Sequence, residues 1–270
     1  MRLYEGSISN FRTNLHNNTL VNQIKQAFKI YYNRYPAESE IRAWNQSLDY
    51  LDRLMYAARL YDNMMIIEYE LPHLTKRIDV LLFADSESDE YIELLELKQW
   101  SNGSVRPSDS EGNVFVRIGK NWVALPHPSL QVKGYHNYLC DFVKVLREDP
   151  RIKLHSYAYC HSYAKYSPKA VLYDRRFQDI LKDHPCYAKK DIDYLARLLS
   201  TRLSNGNGRS TFAKFVASPI SPSKNLLDHV SSMVKGQNVF SLVDDQIVVY
   251  NTIKSKAQHL AKLKKSMHYC

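Results

Sequence analysis

No apolar run in this chain of 270 residues approaches the ~18 residues of a membrane-spanning helix, and Met1-Arg2-Leu3-Tyr4-Glu5 lacks the apolar core of a signal peptide. A cytoplasmic protein without a membrane partner is expected. The four cysteines, Cys140, Cys160, Cys186 and Cys270, are scattered and include no C-x-x-C, which excludes a disulfide framework or a zinc ribbon as the basis of the fold. His155, Cys160, His161, His184 and Cys186 come nearest to a metal cluster, yet their spacing matches no recurring zinc pattern. No G-x-x-x-x-G-K-[ST] occurs, and Gly119-Lys120-Asn121 does not replace it, so ATP hydrolysis is not expected of these residues. Neither a long-period repeat nor a low-complexity block is present, which argues against a solenoid.

What the chain does carry is positive charge and tyrosine. Lys and Arg number 37 against 28 Asp and Glu, a formal charge of +9, and there are 20 tyrosines. Residues 251–270 hold Lys254, Lys256, Lys262, Lys264 and Lys265 and no acid. Cations interleaved with aromatic rings suit a polyanion whose bases stack, although solvated lysines and core tyrosines give the same composition.

The most informative stretch runs from Arg77-Ile78-Asp79-Val80-Leu81-Leu82-Phe83 through an acidic turn to Tyr91-Ile92-Glu93-Leu94-Leu95-Glu96-Leu97-Lys98. Two Ile/Val/Leu-rich runs around Asp85-Ser86-Glu87-Ser88-Asp89-Glu90 predict an antiparallel hairpin. With the turn centred between Glu87 and Ser88, Asp79 lies opposite Glu96 and Arg77 opposite Lys98. Period-two alternation then places Asp79, Glu96 and Lys98 on one face. Glu-x-Lys on a strand is often a solvated ion pair. Asp79 is different, because it interrupts a run that reads as buried on both faces, where an unpaired carboxylate is costly.

Around this hairpin the periodicity predicts a helix over 18–33 and a second starting at a Ser39 N-cap, with Ile41, Trp44, Leu48, Leu51 and Met55 on its buried side. Glu40 falls in its first turn, where a carboxylate complements the helix dipole. Met64 to Leu71 reads as a strand with Glu68 and Glu70 on one face. Short strands are expected at 114–118 and 121–125, a helix at 129–146 with Gln131 and Tyr135 one turn apart, a strand at 152–160, and helical patches at 175–182 and 191–203. Asn205-Gly206-Asn207-Gly208 stops the last of these, and Ser218-Pro219-Ile220-Ser221-Pro222-Ser223 reads as a connector. Beyond it, helices are expected at 226–234 and, long and basic, at 244–265. The fold class is therefore α/β, a mixed central sheet flanked by helices, with one domain over 1–210 and a linker plus helical basic extension over 211–270.

Mg²⁺ or Mn²⁺ takes oxygen ligands and is held by one or two carboxylates plus substrate phosphate oxygens. Asp79, Glu96 and the backbone carbonyl of Leu97 form such a set, and Lys98 on the same side suits orientation of a water or stabilisation of developing negative charge. Arg77, Lys120 and Lys133 are candidate contacts to a nucleic-acid backbone.

The order of a helix glutamate, Arg77-Ile78-Asp79, Glu96-Leu97-Lys98 and Gln131-Val132-Lys133-Gly134-Tyr135 resembles the PD-(D/E)XK nuclease superfamily with its trailing Q-x-x-x-Y motif. Ser39-Glu40-Ile41-Arg42-Ala43-Trp44, Glu68-Tyr69-Glu70-Leu71-Pro72, Glu96-Leu97-Lys98-Gln99-Trp100-Ser101 and His127-Pro128-Ser129-Leu130-Gln131 are similar to the N-terminal region of bacterial Schlafen-group-3-like DNA/RNA helicases, in which a nuclease-like domain precedes an ATPase motor. The resemblance spans roughly residues 35–265 and implies a restriction-endonuclease-like core. It implies Asp79 and Glu96 as metal ligands, Lys98 as the catalytic lysine, Glu40 as a helix acid completing the metal site, Glu70 as an alternative or additional ligand, and Gln131 with Tyr135 as accessory residues. It further implies a Mg²⁺- or Mn²⁺-dependent nuclease acting on DNA rather than RNA, in defence against foreign DNA, working with a separate helicase or ATPase. A catalytically weak binding or docking module is the competing expectation. Val243-Asp244-Asp245-Gln246 resembles the adenine-sensing glutamine that opens such a motor, but no phosphate-binding loop follows it.

Overall fold

A computed structural model describes residues 1–227 except 73, 75, 167–169 and 225. The expected helix over 244–265, most of that over 226–234, and Gln246 lie outside the described residues. The chain runs β1 (Arg2–Ser7), α1 (Ile8–His16), α2 (Leu20–Tyr32), α3 (Glu38–Ala57), β2 (Met64–Glu70), β3 (Arg77–Asp85), β4 (Glu90–Lys98), β5 (Val105–Pro107), β6 (Asn113–Ile118), β7 (Asn121–Pro126), α4 (Pro128–Phe142), α5 (Lys144–Glu148), β8 (Ile152–Cys160), α6 (Gln178–Asp183), β9 (Cys186–Ala188), α7 (Ile192–Leu203) and α8 (Arg209–Ala217).

The main sheet has the order β1-β2-β3-β4-β8-β9. Its first four strands are antiparallel, whereas β4-β8 and β8-β9 are parallel, so the sheet is mixed. The parallel step from β4 to β8 needs a crossover, which α4 and α5 supply. One apolar cluster, with Phe28, Trp44, Leu51, Leu95 and Leu199, lies under α1, α2, α3 and α7. A second, with Phe83, Leu94, Tyr135, Ala158 and Phe215, lies under α4, α6 and α8 and the small sheet β5-β6-β7. The central strands are buried on both sides, which is why β3 and β4 read as continuous apolar runs rather than alternating ones.

The hairpin adopts the expected register from Asp85↔Glu90 to Val80↔Leu95, but pairing stops short of the expected Asp79–Glu96 and Arg77–Lys98 pairs. Other expectations need correction. Helix α3 begins at Glu38, and in place of a Ser39 cap the Glu40 carboxylate accepts the Ala37 N–H at 2.9 Å. The predicted helix over 129–146 breaks at Val143, whose extended backbone bridges to Ile220. The same bridge, with the Ser221 N–H donating to the Phe142 carbonyl at 2.9 Å, pins residues expected to form a free connector. A domain boundary after 210 falls inside α8, where Thr211 and Phe215 are buried. Strand β1 and helix α1 carry too short a pattern to stand out in the sequence.

Helix α8 is entered through a tight approach to the hairpin. Gly208 has φ +72° and a Cβ there would stand 2.2 Å from the Phe83 carbonyl oxygen. The Gly208 N–H and Ser210 N–H both donate to the Asp85 carboxylate at 2.9 Å. Gly208→Ala adds both a left-handed backbone cost and a backbone clash, and is expected to destabilise the fold by about 2 kcal/mol or more, read from urea unfolding.

Candidate active site

Backbone pairing fails at one step shared by three strands. Ile67↔Val80 and Tyr69↔Ile78 pair across β2 and β3, but the Glu68/Asp79 step between them does not, and pairing of β3 with β4 ends at Val80↔Leu95. Glu68 has φ +57°, a left-handed conformation that costs a non-glycine residue on the order of 1–2 kcal/mol. Side-chain alternation slips there on both strands. Ile67 and Val80 belong to the α3-side cluster, whereas Tyr69 and Ile78 belong to the α4-side one. Interruptions of this kind re-aim side chains next to functional sites.

The slip frees Asp79 from the face it would otherwise occupy. Its Oδ2 accepts the Leu97 N–H at 2.7 Å, doing the work of a backbone carbonyl across the gap between β3 and β4. A strand residue sends its N–H and C=O toward the same neighbour, so the Leu97 carbonyl also faces β3. Asp79 lines a cavity of about 150 Å³ together with Glu40, Trp44, Glu68, Arg77 and Leu97. Burial pushes the Asp79 carboxyl well above the usual range, the Glu96 and Glu68 carboxylates push it further, and Lys98 and the Leu97 N–H only partly oppose them.

On β4 the alternation is regular, so Glu96 and Lys98 both face α4. Glu96 is 3% exposed. Its Oε1 accepts Lys98 Nζ at 2.7 Å and Gln131 Nε2 at 3.0 Å, and Gln131 Nε2 also donates to the Tyr135 hydroxyl at 2.8 Å. A polar chain Lys98–Glu96–Gln131–Tyr135 thus crosses from sheet to helix. Helix α4 is set by His127, whose Nδ1 accepts the Ser129 N–H at 3.1 Å, and by Pro128 in its first turn. With Nδ1 accepting, His127 Nε2 carries the proton and donates to the Leu172 carbonyl at 3.0 Å.

The other expected site residues are engaged by partners of their own or lie at the surface. Glu40 is committed to the Ala37 N–H and to Arg77 Nη2, at 2.6 Å. Glu70 accepts the Tyr32 hydroxyl at 3.0 Å and does not line the Asp79 cavity. Arg77 is no free phosphate contact, since it also bonds Glu68 at 2.5 Å and lies over the Phe28 and Tyr32 rings. Burial opposes its charge, but Glu68, Tyr32 and Glu40 outweigh burial and raise its pKa. Lys120 is exposed at the β6–β7 turn. Lys133 is exposed on α4 two residues from Gln131, so it leaves the helix on another side. There its charge lowers the pKa of His184, after burial.

The residue that sequence reasoning placed too lightly is Glu68. It bonds Trp44 Nε1 at 2.8 Å and stands at the register position opposite Asp79. Its place in the apolar run Met64-Met65-Ile66-Ile67 was the available signal. The residues considered for zinc disperse. His161 stacks on Tyr50, His155 bonds Glu93 at 3.1 Å, His184 bonds Ser156 at 2.8 Å, and Cys160 Sγ lies 3.4 Å from Cys186 Sγ. Among the described residues no group of three or more His, Cys, Asp or Glu side chains is placed to hold a metal ion. None of the helices in this part of the chain is long and apolar enough to cross a membrane.

No family model, curated protein or solved structure matches the chain. Geometry and chemistry alone therefore bear on what the site does.

Burial lowers the pKa of His127, His136 and His161 to about 4; His184 and His155 add to the effect at His136, and Arg176 adds to it at His127 against the Leu172 bond. The unfolded chain then takes up protons that the fold refuses as pH falls from about 6.5 to about 4. Stability is expected to be full above that window and to decline through it. His127→Asn keeps an acceptor for the α4 cap without the titration, and should flatten the decline in urea midpoints measured across that range.

Proposed function

We propose that this chain is a metal-dependent nuclease, with a restriction-endonuclease-like core, that hydrolyses phosphodiester bonds in DNA rather than RNA. The observation that carries the reading is the convergence, at one interrupted step of the sheet, of Asp79 on the Leu97 amide with the chain Lys98–Glu96–Gln131–Tyr135. A simple fold has little reason to bury a second carboxylate beside a first whose protonated form is already favoured.

Asp79, Glu96 and the Leu97 carbonyl are hard oxygen donors, the chemistry that suits Mg²⁺ or Mn²⁺. When bound, the ion supplies Lewis-acid polarisation of the phosphate and a lowered pKa for an attached water. The chain's own residues do the rest. Asp79 and Glu96 hold carboxylate oxygens on either side of Leu97. The Lys98 ammonium, ion-paired with Glu96, is the cation that would orient the attacking water and offset charge growing on the phosphate oxygens. Gln131 holds Glu96 in place from α4, and Tyr135 in turn holds Gln131. Cytoplasmic defence against foreign DNA, with a helicase or ATPase supplied separately, is the role this reading favours, and it rests on analogy.

A second reading takes the chain as a catalytically weak module that binds nucleic acid or docks a partner. It is favoured by the direct Lys98–Glu96 ion pair and by the diversion of Glu40 and Glu70 to other partners.

Incubation of plasmid, single-stranded DNA and RNA with Mg²⁺, Mn²⁺ or EDTA separates the two. The nuclease reading expects ion-dependent cleavage that falls by roughly 100-fold or more in Asp79→Ala and Lys98→Ala. Cleavage that survives both substitutions overturns it. Salt-dependent DNA binding without turnover supports the second reading.

A further inference from the structure

The small sheet β5-β6-β7 is inserted between the two halves of the candidate site. It starts seven residues after Lys98 and ends five before Gln131. One face is built into the fold, because Val105, Val114 and Val116 are buried in the same cluster as Val132 and Tyr135 of α4. The register Arg106↔Phe115↔Ala124 and Arg117↔Trp122 puts the alternate residues together on the opposite, outer face. That face carries Arg106, Phe115, Arg117 and Trp122 and no acid.

Arg106 packs against both aromatic rings of this face. The Arg106 guanidinium lies 5.2 Å from the Phe115 ring centroid and 4.3 Å from that of Trp122. Arg106 and Arg117 are exposed, and Phe115 and Trp122 are partly so. Toward the tip the ribbon extends past the core, with Ile118 55% and Val123 38% exposed. Lys120 adds a further cation there, at the turn made by Gly119 with φ +61°. The acids of this insertion, Asp109 and Glu111, belong to the loop at the other end, between β5 and β6.

We infer that the outer face of this ribbon binds single-stranded nucleic acid and delivers it to the Asp79–Glu96 site. Arginines supply phosphate contacts, and a guanidinium packed over aromatic rings keeps N–H edges for them. Partly exposed aromatic faces stack unpaired bases, whereas a duplex keeps its bases turned inward. The inference deepens the nuclease reading by naming the form of the substrate, and it is tested by binding rather than by cleavage.

Fluorescence anisotropy in EDTA, with labelled oligo-dT, oligo-U and a hairpin duplex, reads this face without the metal site. Wild-type protein is expected to bind the single strands better than the duplex, with the two single-stranded arms deciding between DNA and RNA. Trp122→Ala should weaken binding about tenfold with an unchanged salt slope, and Trp122→Phe should restore most of the loss. Arg117→Ala, at an exposed position, should weaken binding and reduce the slope of log K against log salt by about 0.7. Lys190→Ala, an exposed lysine outside the ribbon, serves as the control. Circular dichroism and melting confirm that each variant is folded. Absence of single-strand binding, preference for the duplex, or ribbon variants that bind like wild type would overturn the inference. Failure of the nuclease reading has a different signature: no cleavage by protein that still binds single strands through Trp122 and Arg117.

Discussion

A carboxylate standing in for a backbone carbonyl organises this molecule. Asp79 accepts the Leu97 N–H across the point where β3 and β4 cease to pair, and the adjoining step in β2 is taken up by the left-handed Glu68. A regular ladder would have sealed this position with main-chain bonds and left both acids facing the core. The interruption opens a cavity beneath α3 and puts the Glu68 and Glu96 carboxylates within electrostatic reach of Asp79. Each is held by a different neighbour: Trp44 and Arg77 hold Glu68, Leu97 holds Asp79, and Lys98 with Gln131 holds Glu96.

The two faces of the sheet divide the work. On the α3 side, Arg77 gathers Glu40, Glu68 and Tyr32 into a partly buried network of one cation and two carboxylates. Such a network fixes the geometry of a wall, because each partner orients the others. On the α4 side, the polar chain from Lys98 to Tyr135 runs through the buried Glu96. Asp79 sits between, touching the α3-side cavity through its carboxylate and the α4-side chain through Leu97 and Glu96. His127 ties the start of α4 to the site, its ring capping Ser129 and its backbone carbonyl accepting the Gln131 N–H at 3.1 Å.

Much of the fold was legible because its elements are periodic. The helix stripe of Trp44, Leu48, Leu51 and Met55, the paired runs of the hairpin and the strand over Ile152–Cys160 all appear where the spacing predicts them. Local pattern failed where long-range contacts decide. The end of α4 at Val143 is imposed by Ile220, and Ser218 to Ser223 is fixed by α4 and α5 rather than free. Glu40 and Glu70 were both plausible site acids in the sequence. Which glutamate faces Asp79 depends on the backbone of Glu68 and on the partners that Arg77 and Tyr32 offer.

The sequence by itself determined the mixed α/β class, the register of the β3–β4 hairpin and the sharing of one face by Glu96 and Lys98, because period-two alternation and turn placement are local properties of the chain. It also determined that Gln131 and Tyr135 lie one helical turn apart. Only the tertiary structure decided that α4 lies over Glu96 so that Gln131 reaches it, that Asp79 leaves its expected face for the Leu97 amide, and that Arg106 lies over the Phe115 and Trp122 rings. Those outcomes follow from packing between elements far apart in the chain, and from a single left-handed residue whose cost is met by the bonds it makes possible.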